Sequence, residues 1–146
     1  MLSNSCRYGI RAVIYLASQP FPREKTGIKK ISKDLDLPTP FLAKILQQLA
    51  KQKILSSSKG PHGGFSLVKD PKKITLFDIV STIDGKESFT NCVMHNGSCK
   101  CVEKNKKPCP IHEDFEETRK ALIGLFSSKT IYELVVKAQE QEKISI

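Results

Sequence analysis

The chain has 146 residues with 24 Lys and Arg against 15 Asp and Glu, a net charge of +9. Such a length holds one domain with an appendage; no apolar run nears the ~18 residues of a membrane span, and Met1 to Arg7 lack the features of a secretory signal. No membrane partner is expected, and the expected location is cytoplasmic.

In chain order, Ser5 to Ser18 reads as a helix with Tyr8, Ala12, Tyr15 and Leu16 on one side and Ile10, Val13 and Ile14 around the rest, hence buried on more than one face. Gln19-Pro20-Phe21-Pro22 ends it. Ile28, Ile31 and Leu35 give a short amphipathic helix that Thr26 is placed to cap, broken at Asp36-Leu37-Pro38. Thr39 is then the expected cap of a third helix, with Pro40 at its first position. There Leu42, Ile45, Leu46 and Leu49 fall at i, i+3, i+4 and i+7 and face a core. The opposite face collects Pro40, Lys44, Gln47 and Lys51, with Gln48 beside them and no acidic residue. Lys neutralises phosphates, and Gln pairs with an adenine edge in the major groove.

Ile54–Ser57 and Phe65–Val68 read as two short strands. The run Ser58-Lys59-Gly60-Pro61-His62-Gly63-Gly64 between them is a flexible basic loop of the kind a wing in a minor groove requires. Helix, short turn, helix, hairpin is the order of a winged helix-turn-helix. The charge agrees. Residues 1–75 carry 14 Lys and Arg against 4 Asp and Glu, while residues 76–146 carry 10 against 11, which is the footprint of a nucleic-acid-binding half joined to something else.

Asp70-Pro71-Lys72-Lys73 is a turn, and Thr75 to Asp78 resembles a capping box for a helix through Leu76, Ile79, Val80 and Ile83 until Gly85. After a cysteine-rich loop, Glu113 to Phe126 reads as a helix, interrupted at Ser127-Ser128. A second box at Thr130 to Glu133 restarts it, with Ile131, Leu134, Val135 and Ala138 on one face. The expectation is a mainly α fold with a small β-wing: a winged helix-turn-helix domain over 1–85, a cysteine-rich cluster-binding loop over 86–112, and a dimerisation helix and tail over 113–146 that pairs with its copy in a homodimer.

Four of the five cysteines, Cys92, Cys99, Cys101 and Cys109, lie close together among Asn, Gly, Ser, Lys and Pro, which build no core. In a cytosolic chain this composition points to metal or redox chemistry rather than disulfides. An iron–sulfur cluster and zinc both suit thiolates, with His95 and His112 as candidate nitrogen ligands. Nearby Lys100, Lys104, Lys106 and Lys107 also leave open a thiol-based switch. Cys6 stands apart, its expected role packing.

These residues resemble the Rrf-two family of bacterial winged-helix transcription regulators, which has IscR and NsrR branches. The resemblance rests on Arg7 to Ala12 with Tyr15-Leu16-Ala17, on Ile31 to Leu35, and on Phe41 to Leu49. Its most specific parts are Ser56 to Leu67, Ile74-Thr75-Leu76 and the placement of the cysteine loop. It implies a homodimer on an imperfect palindrome of double-stranded DNA, recognition helices in major grooves and wings in minor grooves. Cys92, Cys99 and Cys109 then match the three cluster thiolates, and His112 matches the fourth ligand of the IscR branch, with Cys101 as the alternative. The NsrR branch takes an acidic ligand from the partner's first helix. Arg7 stands there and cannot ligate, although neighbouring Cys6 could. Two departures concern DNA: Lys53 stands where a helix-ending glycine is common, and Ala43 replaces a glutamate that discriminates among sites.

The function expected is that of a DNA-binding regulator, a repressor and not an enzyme, controlled by an iron–sulfur cluster that senses iron–sulfur status, redox or nitric oxide. A [2Fe–2S] cluster is favoured over [4Fe–4S], with zinc as the alternative. Thr39, Pro40, Lys44, Gln47, Gln48, Lys51, Ser57, Lys59, Gly60, His62 and Gly63 are the expected DNA contacts. The rival is a metal-independent or zinc-containing winged-helix regulator answering to thiol oxidation or a protein partner. A thiol oxidoreductase would want Cys-x-x-Cys in an α/β setting, and neither is present.

Overall fold

The first helix is the hub. In the computed structural model, which describes residues 2–20, 24–95, 97 and 109–141, α1 (Asn4–Ser18) opens on Ser3, whose hydroxyl accepts from the Cys6 N–H at 3.0 Å. It buries Cys6, Gly9, Ala12, Val13, Leu16 and Ala17. A Cβ at Gly9 would collide with Ile83 and come within 3.1 Å of Ile45 Cγ2, so glycine is what lets the helices carrying those residues close on α1.

Helix α2 (Ile28–Leu35) starts from Gly27 without a side-chain cap. The cap expected of Thr26 does not form. Thr26 instead exchanges two 2.9 Å backbone hydrogen bonds with Phe65, a residue distant in sequence. Asp36 ends α2 in the left-handed region at φ 51°, and the Arg11 guanidinium donates to the Leu35 carbonyl at 2.7 Å. Helix α3 (Thr39–Lys51) follows after three residues, with Leu42, Ile45, Leu46 and Leu49 buried as expected.

Strands β1 (Leu55–Ser58) and β2 (Gly64–Leu67) pair antiparallel from Leu55↔Leu67 to Ser58↔Gly64. Each is displaced by one residue from the sequence expectation. Ile54 and Val68 still share a 3.1 Å hydrogen bond just outside the ladder. Past a 3-10 turn at Pro71–Lys73, α4 (Leu76–Ile83) begins with the predicted box between Thr75 and Asp78. A short helix that periodicity did not announce, α5 (Glu87–Thr90), buries Phe89 against Phe77 at 4.9 Å between ring centroids.

The C-terminal region divides into α6 (His112–Ser128) and α7 (Ile131–Glu140), the latter capped by the Thr130–Glu133 box. Helix α6 packs on α4 and α5, setting Phe126 edge-on to Phe89 at 5.7 Å, and none of its residues is fully buried. Helix α7 departs from the expectation of a single dimerisation helix. It folds back onto α1 and the 3-10 turn, and Ile131 and Val135 join the main core. The junction is stitched on both sides: Ile131 N–H donates to the Ile74 carbonyl at 2.8 Å, and Leu76 N–H to the Lys129 carbonyl at 3.0 Å. No helix among the described residues is long and apolar enough to cross a membrane.

Candidate nucleic-acid interface and cysteine site

Burial of four aliphatic residues on one side of α3 leaves the opposite side in solvent. Pro40, Lys44, Gln47 and Lys51 are exposed, and Gln48 is half-buried. Thr39 is not the cap: Pro38 occupies that position, and Thr39 is the first helical residue with Pro40 second. The half-buried Thr39 hydroxyl meets Ser32 Oγ at 2.8 Å, and Ser32 also donates to the Leu37 carbonyl. The hydroxyl expected to cap α3 thus fixes the turn between α2 and α3.

The wing is built on glycine. Gly64 sits at φ 144°, and a Cβ there would strike the Thr26 carbonyl, so the pairing of Thr26 with Phe65 depends on its absence. Gly60, at φ 103°, accepts from the Gly63 N–H at 3.0 Å and closes the loop tip. Ser57, Lys59, Gly60 and His62 are exposed, and Gly63 is half-buried. An open cleft runs between α3 and the wing, lined by Ala43 and Gln47 on one side and by Ser57, Ser58, Lys59, Gly60 and Gly63 on the other. Gln47 and four of the predicted wing residues therefore share one concave surface, with Thr39, Pro40, Lys44, Gln48, Lys51 and His62 outside it. Ser58, the first residue of the wing loop read from the sequence, also lines this cleft, and Phe41 is 64% exposed at the start of α3, seven residues before Gln48 and on the same flank.

The cysteine site follows α5. Cys92 follows α5 and its N–H donates to the Gly97 carbonyl at 2.8 Å; Cys109 shares a turn with His112, whose N–H donates to the Cys109 carbonyl at 2.9 Å. The two half-buried sulfurs stand 3.8 Å apart, a contact and not a disulfide. Arg119 braces this arrangement from α6. Its guanidinium donates to the Asn91 carbonyl at 3.1 Å and to Glu116, and lies 5.1 Å from the Phe115 ring centroid.

Two thiolates on one tetrahedral metal at about 2.3 Å stand about 3.8 Å apart, so Cys92 and Cys109 fit a shared metal atom. His112 Nδ1 is buried and has no hydrogen-bond partner among the described residues, which suits a nitrogen awaiting a ligand role. The described residues do not by themselves gather three or more His, Cys, Asp or Glu into a metal-binding group. Cys99 and Cys101 lie outside them, as does the lysine run from Lys100 to Lys107.

Cys6 is fully buried with Val80 and Phe89, and burial, reinforced by the nearby Asp84 carboxylate, pushes its thiol up to about 12. It packs in this cluster, enclosed away from the surface.

A two-helix unit, a basic second helix, a glycine-built wing and a third chain segment pairing with that wing define a winged helix-turn-helix of the DNA-binding type. Comparison with known proteins agrees. The model of the Rrf2 family, described as "Iron-dependent Transcriptional regulator", matches residues 2–137, and the chain belongs to this family. A putative HTH-type transcriptional regulator of Aquifex aeolicus is 35% identical over 136 residues, covering 92% of this chain and 91% of that one. Two solved structures share the fold. CymR, the global cysteine regulator of B. subtilis, has a TM-score of 0.76 at 22% identity over 94% of this chain and 97% of that one. T. potens IscR has a TM-score of 0.72 at 24% identity over 99% and 92%. The protein is a transcription regulator and not an enzyme.

Proposed function

We propose that the chain is a homodimeric, cytoplasmic repressor that binds an imperfect DNA palindrome and is governed by a [2Fe–2S] cluster held by Cys92, Cys99, Cys109 and His112. The observation that carries the cluster reading is the 3.8 Å approach of Cys92 Sγ to Cys109 Sγ, from chain positions seventeen residues apart. A [2Fe–2S] cluster sets two protein ligands on each iron, as this spacing suits, whereas a [4Fe–4S] cluster takes one ligand per iron. Cys109 and His112 belong to one helical turn at the entrance to α6, which supports their acting together. When bound, the cluster supplies a reversible change of charge and a ligand set that iron loss or oxidation dismantles. The chain's own residues do the rest: Arg119 ties the residue before Cys92 to α6, so a change at the loop is felt by the helix that packs on α4.

Dimerisation belongs to α6 in this reading, since Leu125 is 51% exposed on a helix that buries no residue fully, and Ile111 at its N-cap is 40% exposed. Leu125→Glu should lower the sedimentation coefficient to that of a monomer while leaving the circular dichroism spectrum unchanged; a persistent dimer moves the interface elsewhere. DNA contacts are assigned to Thr39, Pro40, Lys44, Gln47, Gln48, Lys51, Ser57, Lys59, Gly60, His62 and Gly63.

Anaerobic purification tests the cofactor. A brown protein with equal iron and sulfide supports the cluster, and a colourless one with zinc refutes it. If Cys101→Ser loses the cluster while His112→Ala keeps it with an unchanged spectrum, the site has four cysteines. A second reading draws on the same 3.8 Å pair: Cys92 and Cys109 need move little to form a disulfide, giving a metal-independent thiol switch. Mass spectrometry of the oxidised protein, showing that disulfide with no metal bound, would favour it.

A further inference from the structure

Phe41 is a large aromatic side chain left 64% exposed in the first turn of α3, and it takes part in neither apolar cluster of the fold. Its backbone is well held. Thr39 before it is bonded to Ser32, Pro40 has a fixed φ, and Leu42 after it is fully buried. Phe41, Lys44 and Gln48 fall at i, i+3 and i+7, one stripe along the flank of the helix's outer face, with Lys44 exposed and Gln48 half-buried. An apolar ring thus leads a stripe of polar groups on an acid-free surface.

We propose that Phe41 is a specificity residue that packs on the C5-methyl group of a thymine in the major groove. This rests on the placement of α3 in that groove under the proposed function. The N-terminal residues of such a helix are the ones that meet base edges. Base edges there present hydrogen-bond donors and acceptors, which a phenyl ring cannot answer, and one apolar group, the thymine methyl, which it can. A phosphate is the wrong partner, because the face of the ring is negative. Lys44 and Gln48, one and two turns further on, are then left to polar contacts with neighbouring positions.

The test uses the full-length protein and an operator selected from a random duplex library. Each thymine is replaced in turn by deoxyuridine, which removes the methyl and keeps the base pair. For the wild type, one position in each half-site should lose about fourfold in affinity, the equivalent of ~0.8 kcal/mol per buried methyl-sized group. Phe41→Ala should bind the thymine operator more weakly and no longer distinguish thymine from deoxyuridine at that position, while Phe41→Leu keeps part of the preference. The exposed site makes both variants fold, as unchanged thermal melts would verify. Indifference of the wild type to every replacement overturns the inference, as does an equal thymine preference in Phe41→Ala. A wild type that selects no sequence at all overturns the groove placement itself, and that outcome is distinct from the other two.

Discussion

Replacing Ile131 with Ala should destabilise the whole winged domain. Ile131 is fully buried in the main core although it lies near the C-terminal end of the chain, and its N–H bonds to the Ile74 carbonyl at 2.8 Å. Truncation to Ala removes three carbons, worth about 2.4 kcal/mol at ~0.8 kcal/mol each. The cavity left in a close-packed core adds to this, giving about 3–4 kcal/mol within the usual range for Ile to Ala. That is a large share of the ~5–15 kcal/mol that stabilises a domain. Urea unfolding followed by circular dichroism, at fixed protein concentration because a dimer's stability depends on it, should show a lower midpoint with an unchanged slope. The melting temperature should fall by roughly 6–16 °C. A loss under about 1 kcal/mol would mean that α7 is an appendage to the core and not part of it. The same reasoning makes deletion of residues 113–146 a poor test of dimerisation, since it also strips Ile131 and Val135 from the DNA-binding half.

Lys53 occupies φ 57°, so Lys53→Gly should relieve left-handed strain and, after the entropy cost of glycine, stabilise by about 0.5 kcal/mol; a lower urea midpoint would contradict this. Lys44→Ala, Lys51→Ala and Lys59→Ala should each flatten the slope of log affinity against log salt by roughly one unit, and three unchanged slopes would place the basic surface elsewhere. Cys6, with its thiol raised to about 12, should resist iodoacetamide at pH 8 in the native protein and react once unfolded. Its raised value also means that its contribution is complete below the unfolded thiol's range near 9 and is lost as pH climbs from there towards 12, so Cys6→Ala should flatten the alkaline fall in stability. The Tyr15 hydroxyl, at 2.6 Å, and Lys30 hold the Asp34 carboxyl below the ordinary carboxylate range. This depressed carboxyl stabilises above the unfolded value and ceases to do so as pH falls through the folded one, so Tyr15→Phe should raise the Asp34 titration midpoint seen by NMR.

Local rules made much of this molecule legible from its residues. Leu42, Ile45, Leu46 and Leu49 had to form one helical face, because helical spacing alone puts them there. The Thr75 and Thr130 boxes are contacts within four residues, decided by local chemistry. Charge counting located the basic half, and the close group of cysteines was plain because those neighbours cannot build a core. Several of the outcomes that differed involve competition from other parts of the chain. Thr26 and Thr39 are good caps by type, yet Phe65 claims the Thr26 backbone and Ser32 the Thr39 hydroxyl. Helix α7 has the amphipathic pattern of an oligomerisation helix, but an apolar face does not say which apolar surface covers it. Hydrogen bonds at Ile74 and Lys129 turn it back onto α1 of the same chain. The 3.8 Å meeting of Cys92 with Cys109 likewise belongs to tertiary structure: spacing announced a thiol-rich loop, and the packing of Phe89 against Phe77 and Phe126, with Arg119 bonded to Asn91, brought its two ends together. Sequence determines what each segment has to bury and which groups need partners, whereas only the closed fold decides which of several suitable partners arrives first and excludes the others.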